Sequence, residues 1–509
     1  MKKILTTIIF VLVLGAAFFG IRRATTKATA ASTATAAPAA KAAAQFNITF
    51  VPYPPKDLSS PNASEEELIS FAWNEFFALN WKSRYYTTNS NFRRGLPDTN
   101  WDYDKDAAPA PDLLVWETYA HRVELRRWND VMNNFDTVPY YQYSKPILAD
   151  PGVKTNLFNN LDENNEIGSC DVYAQVYKYY KKYQVLYQAK ANRDEFNYIK
   201  DHYPTKEKLD SATSKTANNI TLDSAYFKGA IGNCDLPDSA KIFCLPCGTT
   251  VGTSLEGAME VKTAWRQLTP EEDSNRYLMR TVLTYENGPN GQAKAVNRRY
   301  ALIAIHIIHK TKNYPNFVFA TFEQVDVDSS YMGYVELDKK GHETDNFHKN
   351  YPRQHPIAAI TAASTVYVHQ ELKKRNPRSI WQYYRLVGVQ GQPDTTVSSA
   401  NFFLANYVVE SDSVLASFHG SSIGHPFDKK SNILHNNKFL SIGGCQGCHG
   451  AAQVNLGTDG SFLCDTVDKP VRMPDPLNYG NAKLSNYIHT FQAYDRVHTL
   501  LLEKQKQQK

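Results

Sequence analysis

Residues 300–309 (YALIAIHIIH) and residues 317–325 (FVFATFEQV) decide the fold class of this chain. Both runs are rich in Ile, Val and Phe, the β-branched and aromatic residues that favour strands. Residues 310–316, which contain Pro315, form a connection of hairpin length between them. The two runs therefore predict a pair of neighbouring antiparallel strands.

The pattern extends upstream to residues 259–266 (MEVKTAWR), where apolar and charged residues alternate with the period of a strand. A capping box at Ser64 predicts a helix over residues 64–79. Because helices and strands occupy separate blocks, the sequence predicts an α+β class, with a large mixed domain of antiparallel strands and flanking helices. The remaining predictions are a strand over 379–389, helices over 113–125, 171–196 and 484–505, and a polar surface insertion or a seam between subdomains over 197–225.

The first residues have the pattern of a targeting segment. Lys2 and Lys3 precede an apolar run, and two arginines follow it. A cleaved signal peptide and a membrane anchor both fit, since small-residue cleavage sites follow the run and the run is just long enough to cross a bilayer. Either reading predicts a periplasmic or cell-envelope protein. The expected organisation is a signal peptide or anchor over 1–23, an Ala/Thr-rich linker over 24–45, the large α+β domain over 46–430 and a C-terminal segment over 431–509.

The charge of the chain gives no reason to expect nucleic acid as a partner. The formal net charge is +5, and the Lys and Arg residues are spread evenly along the sequence. No basic stripe is formed that would attract phosphates.

The C-terminal segment contains Gly443-Gly444-Cys445-Gln446-Gly447-Cys448-His449. Cys-x-x-Cys-His is the pattern for attaching a c-type haem: each thiol forms a thioether to one former vinyl group, and the histidine is the proximal iron ligand. A zinc or disulfide Cys-x-x-Cys is the alternative. We expect one covalent haem c on Cys445 and Cys448, with His449 on the iron. Such haem is attached outside the cytoplasmic membrane, in agreement with the targeting segment.

The sixth iron ligand is left open by the sequence. Met473 lies in a proline-rich loop (RMPDP, 472–476) that could present its thioether to the iron. A histidine is the rival, and a vacant position would permit chemistry at the iron. Few residues follow the motif, so we expect the haem to rest against the large domain. The candidate histidines are His419, His425, His435, His489 and His498.

Five cysteines lie outside the motif. Cys244-Leu245-Pro246-Cys247 is followed by glycine, so it lacks the iron ligand of a second haem site. In an oxidising compartment disulfides are expected, with Cys234 joined to Cys244 or Cys247. A redox-active Cys244–Cys247 pair and a zinc site are the alternatives. The remaining two are Cys170 and Cys464.

The predicted strands carry a second set of candidate site residues. Glu260 and Arg266 share one face of their strand, and Glu323 ends an aromatic strand. His306 and His309 differ by three positions, so in a regular strand they point to opposite faces and cannot share a metal. A charged strand face is usually only solvated. If Glu260, Arg266, Glu323 and one histidine converge, however, they form a buried ionic cluster and a candidate catalytic site.

Several short stretches, ordered along the chain, carry a family resemblance. They are WNE (73–75), ALNW (78–81), VWET (115–118), EVK (260–262), AWR (264–266), HIIHKT (306–311), ATFEQVD (320–326), WQYY (381–384) and CQGCH (445–449). Together they resemble a little-characterised family of large exported monohaem cytochrome c proteins. The resemblance implies a c-type cytochrome and specifies no substrate. This chain departs from the family at Gln324, where a histidine is expected.

Three functional hypotheses follow. The first is an exported monohaem cytochrome that transfers single electrons to and from a redox partner protein, with possible anchoring in the membrane. The second is a haem-dependent oxidoreductase whose substrate site lies in the large domain. The third is a binding protein whose haem senses redox state or a diatomic gas.

Overall fold

The structure is a computed structural model of the chain. The N-terminal segment, the linker up to residue 44 and the helix predicted over 484–505 lie outside the described residues. These are 45–85, 93–125, 132–137, 152, 158–159, 161, 171–176, 181–222, 242–248, 256–287, 293–329, 332–337, 357–393, 432–435, 438–441 and 444–464.

Helices and antiparallel strands are both present, which confirms the α+β class. The helices are α1 (Glu65–Leu79), α2 (Arg122–Leu125), α3 (Arg193–His202), α4 (Lys206–Leu222), α5 (Asp326–Ser329), α6 (Ala359–Arg375) and α7 (Gly444–Asn455). The strands are β1 (Ala120–His121), β2 (Asp171–Val176), β3 (Lys181–Gln184), β4 (Leu186–Ala191), β5 (Met259–Arg266), β6 (Met279–Asn287), β7 (Ala293–His309), β8 (Val318–Gln324), β9 (Met332–Leu337), β10 (Tyr384–Gln390), β11 (Asn432–His435) and β12 (Lys438–Ser441).

A seven-stranded antiparallel sheet forms the centre of the fold. Its strand order is β1-β4-β5-β7-β8-β10, and β6 pairs with β7. The β7–β8 pair is the hairpin predicted from the sequence. Two smaller sheets have the orders β3-β2-β9 and β11-β12.

The register of the central sheet divides its side chains between two faces. Ile305, Ile307 and Phe322 lie on the first face, within the largest apolar core. Ile308 and Phe319 lie on the second face, in a separate apolar core. Residues two apart on a strand point to the same face of the sheet. These positions therefore show which face every other residue of β7 and β8 points to.

Helix α1 covers the first face and begins at the predicted capping box. Ser64 Oγ accepts a hydrogen bond from the Glu67 amide at 3.2 Å, and Glu67 Oε2 accepts one from the Ser64 amide at 2.8 Å. Trp73 and Phe76 are fully buried, with ring centroids 5.0 and 4.4 Å from that of Phe322. Burying a side chain such as Phe76 contributes about 1.5–3 kcal/mol. The apolar stripe of α1 thus fastens it to the sheet.

Two predicted helices differ from the structure, and a third segment gains a secondary structure that the sequence analysis did not assign. Residues 113–125 form a 3₁₀ turn (Trp116–Thr118), the short strand β1 and the single turn α2 instead of one helix. Residues 171–196 contain strands β2, β3 and β4, because β9 and β5 supply partners for their backbone groups. The described part of the polar segment, residues 197–222, is largely helical, in α3 and α4.

The predicted strand over 379–389 is correct in its second half. Residues Ile380–Tyr383 form a 3₁₀ turn, and β10 begins at Tyr384.

None of the helices in the described part of the chain is both long enough and apolar enough to span a bilayer.

Candidate functional site

Helix α7 carries the Cys-x-x-Cys-His motif. Positions 445, 448 and 449 are spaced by three and four residues, so they fall on one side of the helix. Cys445 packs against the apolar core of the second sheet face. The helix also contacts β11 and α4. The motif therefore lies against the large domain, as expected from the sequence.

His449 is held in a defined orientation by its surroundings. Its ring centroid lies 4.8 Å from that of Phe319 and 5.0 Å from that of Phe462, both in edge-on contact. Its Nδ1 is 2.6 Å from the Gly460 carbonyl oxygen, and since a carbonyl only accepts, Nδ1 carries the proton. The unprotonated Nε2, which no described residue contacts by a hydrogen bond, is then the nitrogen able to bind a metal.

The charge state of His449 also fits the role of a metal ligand. Burial, with a contribution from nearby Lys262, lowers the pKa of His449 to about 4. The imidazole is therefore neutral near pH 7, and neutral imidazole is the form that ligates iron. A hydrogen bond from the opposite ring nitrogen to a carbonyl is the usual support of a ligating histidine.

Two glutamines fix α7 to its neighbours, Gln446 to the central sheet and Gln453 to β11. The Gln446 amide donates to Gln390 Oε1 at 3.0 Å, and its side-chain Nε2 donates to the Phe317 carbonyl at 3.3 Å and to the Gly391 carbonyl. Gln453 Oε1 accepts from the Leu434 amide at 2.8 Å. Both glutamines are buried, so these bonds satisfy polar groups that have little access to water.

The loop after α7 is fixed by a buried ion pair. Asp459 pairs with Lys310, and its Oδ2 also accepts from the Leu245 amide at 2.8 Å. Lys310 Nζ lies 3.4 Å from Cys244 Sγ. Gly460, at φ +93°, needs the left-handed region that glycine occupies without strain. This loop is what places the Gly460 carbonyl beneath His449.

The second sheet face contributes a polar row close to His449. Lys262 pairs with His306 across β5 and β7, and His306 pairs with Thr321 across β7 and β8. His306 Nδ1 lies 3.2 Å from Thr321 Oγ1. Burial, with nearby Lys262 and His449, lowers the pKa of His306 to about 3. The row therefore presents a neutral imidazole beside a cation.

The residues of the predicted ionic cluster are buried, but their ion pairs are with other residues. Arg266 pairs with Glu272 (Nη2–Oε1 2.6 Å), and Glu323 pairs with Arg385 (2.6 Å). Glu260 lies six residues from Arg266 on the same strand, which is about 20 Å. Arg266 and Glu323 thus form ion pairs with residues outside the predicted set, and Glu260 lies too far along β5 to pair with Arg266. The predicted pairing of Glu260 with Arg266 is therefore wrong, and a catalytic role for these residues stays a prediction.

Glu260 has a different partner, which sequence reasoning missed. Its carboxyl group lies beside that of Glu195 on α3, and both residues are buried. Burial and the charge of Glu260 raise the pKa of Glu195 well above its usual range. Cys464 Sγ lies 3.9 Å from Glu195 Oε1. The one signal in the sequence is that Glu195 stands next to the apolar Phe196, on a helix that could bury both.

His309 lies on the first face, opposite to His306, as their spacing predicts. Its Nδ1 bonds to Glu75 Oε1 of α1, and its Nε2 donates to the Glu256 carbonyl at 2.7 Å. The ring stacks on Phe71. One ring nitrogen thus bonds to α1 and the other to the segment that precedes β5. We therefore assign His309 a structural role.

The alternative of a redox-active Cys244–Cys247 pair is wrong, since only Cys247 of the two is in a disulfide. Cys247 is disulfide-bonded, whereas Cys244 and Cys464 are thiols. Burial raises the pKa of Cys244 to about 11, which disfavours the reactive thiolate. Cys170 and Cys234 lie outside the described residues, so the pairing of Cys234 stays a prediction.

Most of the candidate sixth ligands also lie outside the described residues: Met473, His419, His425, His489 and His498. His435 is described, on β11, and its Nδ1 lies 2.9 Å from Asn316 Nδ2. Within the described ranges no group of three or more His, Cys, Asp or Glu is placed to hold a metal ion. Comparison with protein-family models, with curated proteins and with solved structures finds no match for this chain.

Proposed function

We propose that this chain is an exported monohaem c-type cytochrome that transfers single electrons between redox partner proteins. The observation that carries the proposal is His449: it follows Cys448 in the attachment motif and is oriented by the Gly460 carbonyl with Nε2 available. Haem bound there would supply the one-electron chemistry.

The protein's part would be attachment, orientation and exclusion of water. Cys445 and Cys448 would tether the macrocycle through thioethers. The bond from His449 Nδ1 to the Gly460 carbonyl at 2.6 Å would increase the basicity of Nε2. Phe319 and Phe462 would hold the imidazole ring between them. The apolar core beside Cys445 would keep the iron in a low-dielectric setting, which is a main determinant of reduction potential.

A spectroscopic and potentiometric study of the full chain tests this function. The protein is produced in a bacterium with haem-attachment machinery and titrated between its ferric and ferrous forms. We expect a reversible one-electron transition and a low-spin ferrous spectrum that carbon monoxide leaves unchanged. Rapid binding of carbon monoxide would contradict a pure carrier and favour the oxidoreductase or gas-sensing hypothesis.

Matched histidine variants identify the source of the signal. His449→Ala removes the proposed proximal ligand and should convert the iron to a high-spin species. His202→Ala removes an exposed histidine of α3 and should leave the spectrum and the potential unchanged.

A further inference from the structure

The turn that carries the Gly460 carbonyl has an uncommon backbone conformation. Asp459 and Gly460 are consecutive residues in the left-handed region, with φ of +57° and +93°. Glycine occupies that region without strain, whereas a residue with a Cβ is disfavoured there. Within the turn, the Ser461 amide donates to the Thr458 carbonyl at 3.0 Å. The contacts of the Asp459 side chain therefore decide how firmly this turn is held.

The Asp459 carboxylate is bound by two donors from other parts of the fold. It pairs with Lys310 Nζ, and its Oδ2 accepts from the Leu245 amide at 2.8 Å. The Lys310 and Asp459 side chains are 1% and 7% exposed. Water screens the pair little, so each charge depends on the other for its stability.

Both donors are fixed to the central sheet independently of α7. Lys310 directly follows β7, and its amide donates to the Ala258 carbonyl at 2.8 Å. The Ala258 amide in turn donates to the carbonyl of Pro246, the neighbour of Leu245, at 2.7 Å. Lys310 Nζ also lies 3.4 Å from Cys244 Sγ in the same segment. The ion pair thus ties the turn after α7 to the end of β7 and to the segment before β5.

The same turn supplies two of the three contacts that orient His449. The Gly460 carbonyl accepts from Nδ1 at 2.6 Å, and Phe462 lies edge-on to the ring at 5.0 Å between centroids. The third contact, Phe319, belongs to β8. Because Asp459 immediately precedes Gly460, a shift of the Asp459 backbone moves the acceptor of the His449 hydrogen bond.

We propose that Lys310 and Asp459 are positioning residues for the proximal ligand, which hold the Gly460 carbonyl on His449 Nδ1 and thereby lower the reduction potential of the haem iron. This inference rests on the proposed function, since it concerns the same haem. A hydrogen bond at Nδ1 makes Nε2 a more basic ligand, and a more basic ligand stabilises ferric iron more than ferrous iron. Both residues act through the histidine.

The central test is the reduction potential of the haem-loaded full chain carrying Lys310→Met and Asp459→Asn together. The double substitution removes one charge of each sign, so the net charge is unchanged and a shift in potential reports the position of the carbonyl. We expect the potential to rise. The ferric–ferrous equilibrium should move about tenfold toward ferrous iron, the lower end of the effects of groups that support a metal ligand. For a one-electron couple this is about 59 mV.

A matched control removes a surface ion pair in the same way. Lys206 and Asp210 pair on the surface of α4, and Lys206→Met/Asp210→Asn also leaves the net charge unchanged. This control should keep the wild-type potential.

The single variant Lys310→Met separates positioning from electrostatics. It leaves the Asp459 carboxylate without its cation, and a negative charge alone favours ferric iron and lowers the potential. Positioning predicts the opposite, a higher potential, because the turn is released. Lys310→Arg, which keeps a cation for Asp459, should restore the wild-type value.

The hydrogen bond itself gives a second readout, through NMR of the full chain labelled with ¹⁵N-histidine. We expect a downfield, slowly exchanging proton on His449 Nδ1 in the wild type. In the double variant this proton should move upfield or exchange rapidly. The measurement applies to the ferrous haem-loaded chain and to the chain without haem. Its wild-type reading needs no variant, so it holds even if a substitution prevents folding.

Three results would overturn the inference. They are rapid exchange of the His449 Nδ1 proton in the wild type, a folded double variant with the wild-type potential and resonance, and a lowered potential in Lys310→Met. Failure of the proposed function is distinguished by haem content. Wild-type protein that attaches no haem rejects the function, whereas the inference fails in protein that carries haem.

Discussion

Arg266 is one of the most deeply buried charged residues of the sheet, and its partner Glu272 is close in sequence. The guanidinium donates to both carboxylate oxygens, at 2.9 and 2.6 Å, and the two side chains are 1% and 5% exposed. Glu272 also accepts from the Thr269 amide at 2.9 Å. The pair closes the turn that follows β5.

We predict that Arg266→Ala lowers the free energy of unfolding by about 3–5 kcal/mol, because Glu272 is left as a buried charge without its guanidinium. The haem spectrum should not change. Urea unfolding of the variant provides the measurement, with Arg299→Ala, an exposed arginine on β7, as the control expected within about 0.5 kcal/mol of wild type. A loss below about 1 kcal/mol at Arg266 would contradict this account.

His309 and Glu75 form a second buried pair, with a pH dependence. Burial by itself lowers the pKa of His309, but the bond to Glu75 and the neighbouring Glu256 together raise it above its ordinary value. The folded pair therefore binds more protons near neutral pH than the separated groups do. Its stabilisation is complete below the pKa of the unfolded histidine, about 6.5, and is lost as pH rises through the raised pKa.

Glu75→Gln tests this dependence. Glutamine keeps an acceptor for His309 but removes the charge, so the advantage of wild type over the variant should shrink above about pH 6.5, by at most about 1.4 kcal/mol per pH unit. Denaturant unfolding at a series of pH values gives this difference and cancels other titrating groups. Glu207→Gln, at an exposed position of α4, should show no such trend. An advantage that grows with pH would refute the assignment.

At the scale of elements, the attachment of α7 to the sheet depends on Gln446. Its side chain satisfies two buried carbonyls at the ends of β8 and β10. We predict that Gln446→Ala lowers the free energy of unfolding by about 1–3 kcal/mol, since those carbonyls lose their donor.

Thermal or urea unfolding measures the effect, and Gln370→Ala, an exposed glutamine of α6, is the matched control. The Gln446 variant should still attach haem, because both cysteines remain. Equal stability of the two variants would show that α7 is held by apolar packing alone.

Elements with strong local signals were predictable from the sequence. The capping box at Ser64 and the alternation in β5 depend on neighbouring residues, and both are confirmed. The segment over 171–196 was mistaken for a helix because short runs of Tyr, Val and Lys fit either period. Its strands form because β9 and β5 provide partners, and that information is not local.

The candidate site was predictable only in part for the same reason. The attachment motif is contiguous, so its residues were found at once. The partners of Glu260 and Glu323 depend on pairing across strands and on the packing of α3, which no sequence spacing reveals. The proximity of His306 to His449 likewise depends on where α7 packs.

For the whole molecule, the central sheet separates two functions. Its first face, under α1, holds the largest apolar core and the His309–Glu75 pair. Its second face receives α7 and the attachment motif. On this account the first face stabilises the fold, and the second surrounds the proposed haem.

The central claim is covalent haem on Cys445 and Cys448, and the intact mass of the denatured protein tests it most directly. The account predicts that wild-type chain made with haem-attachment machinery exceeds its polypeptide mass by one haem, and that Cys445→Ala/Cys448→Ala does not. Cys244→Ala, which removes a thiol outside the motif, should keep the added mass. Wild-type protein at its bare polypeptide mass, or haem retained by the double variant after denaturation, would contradict the claim.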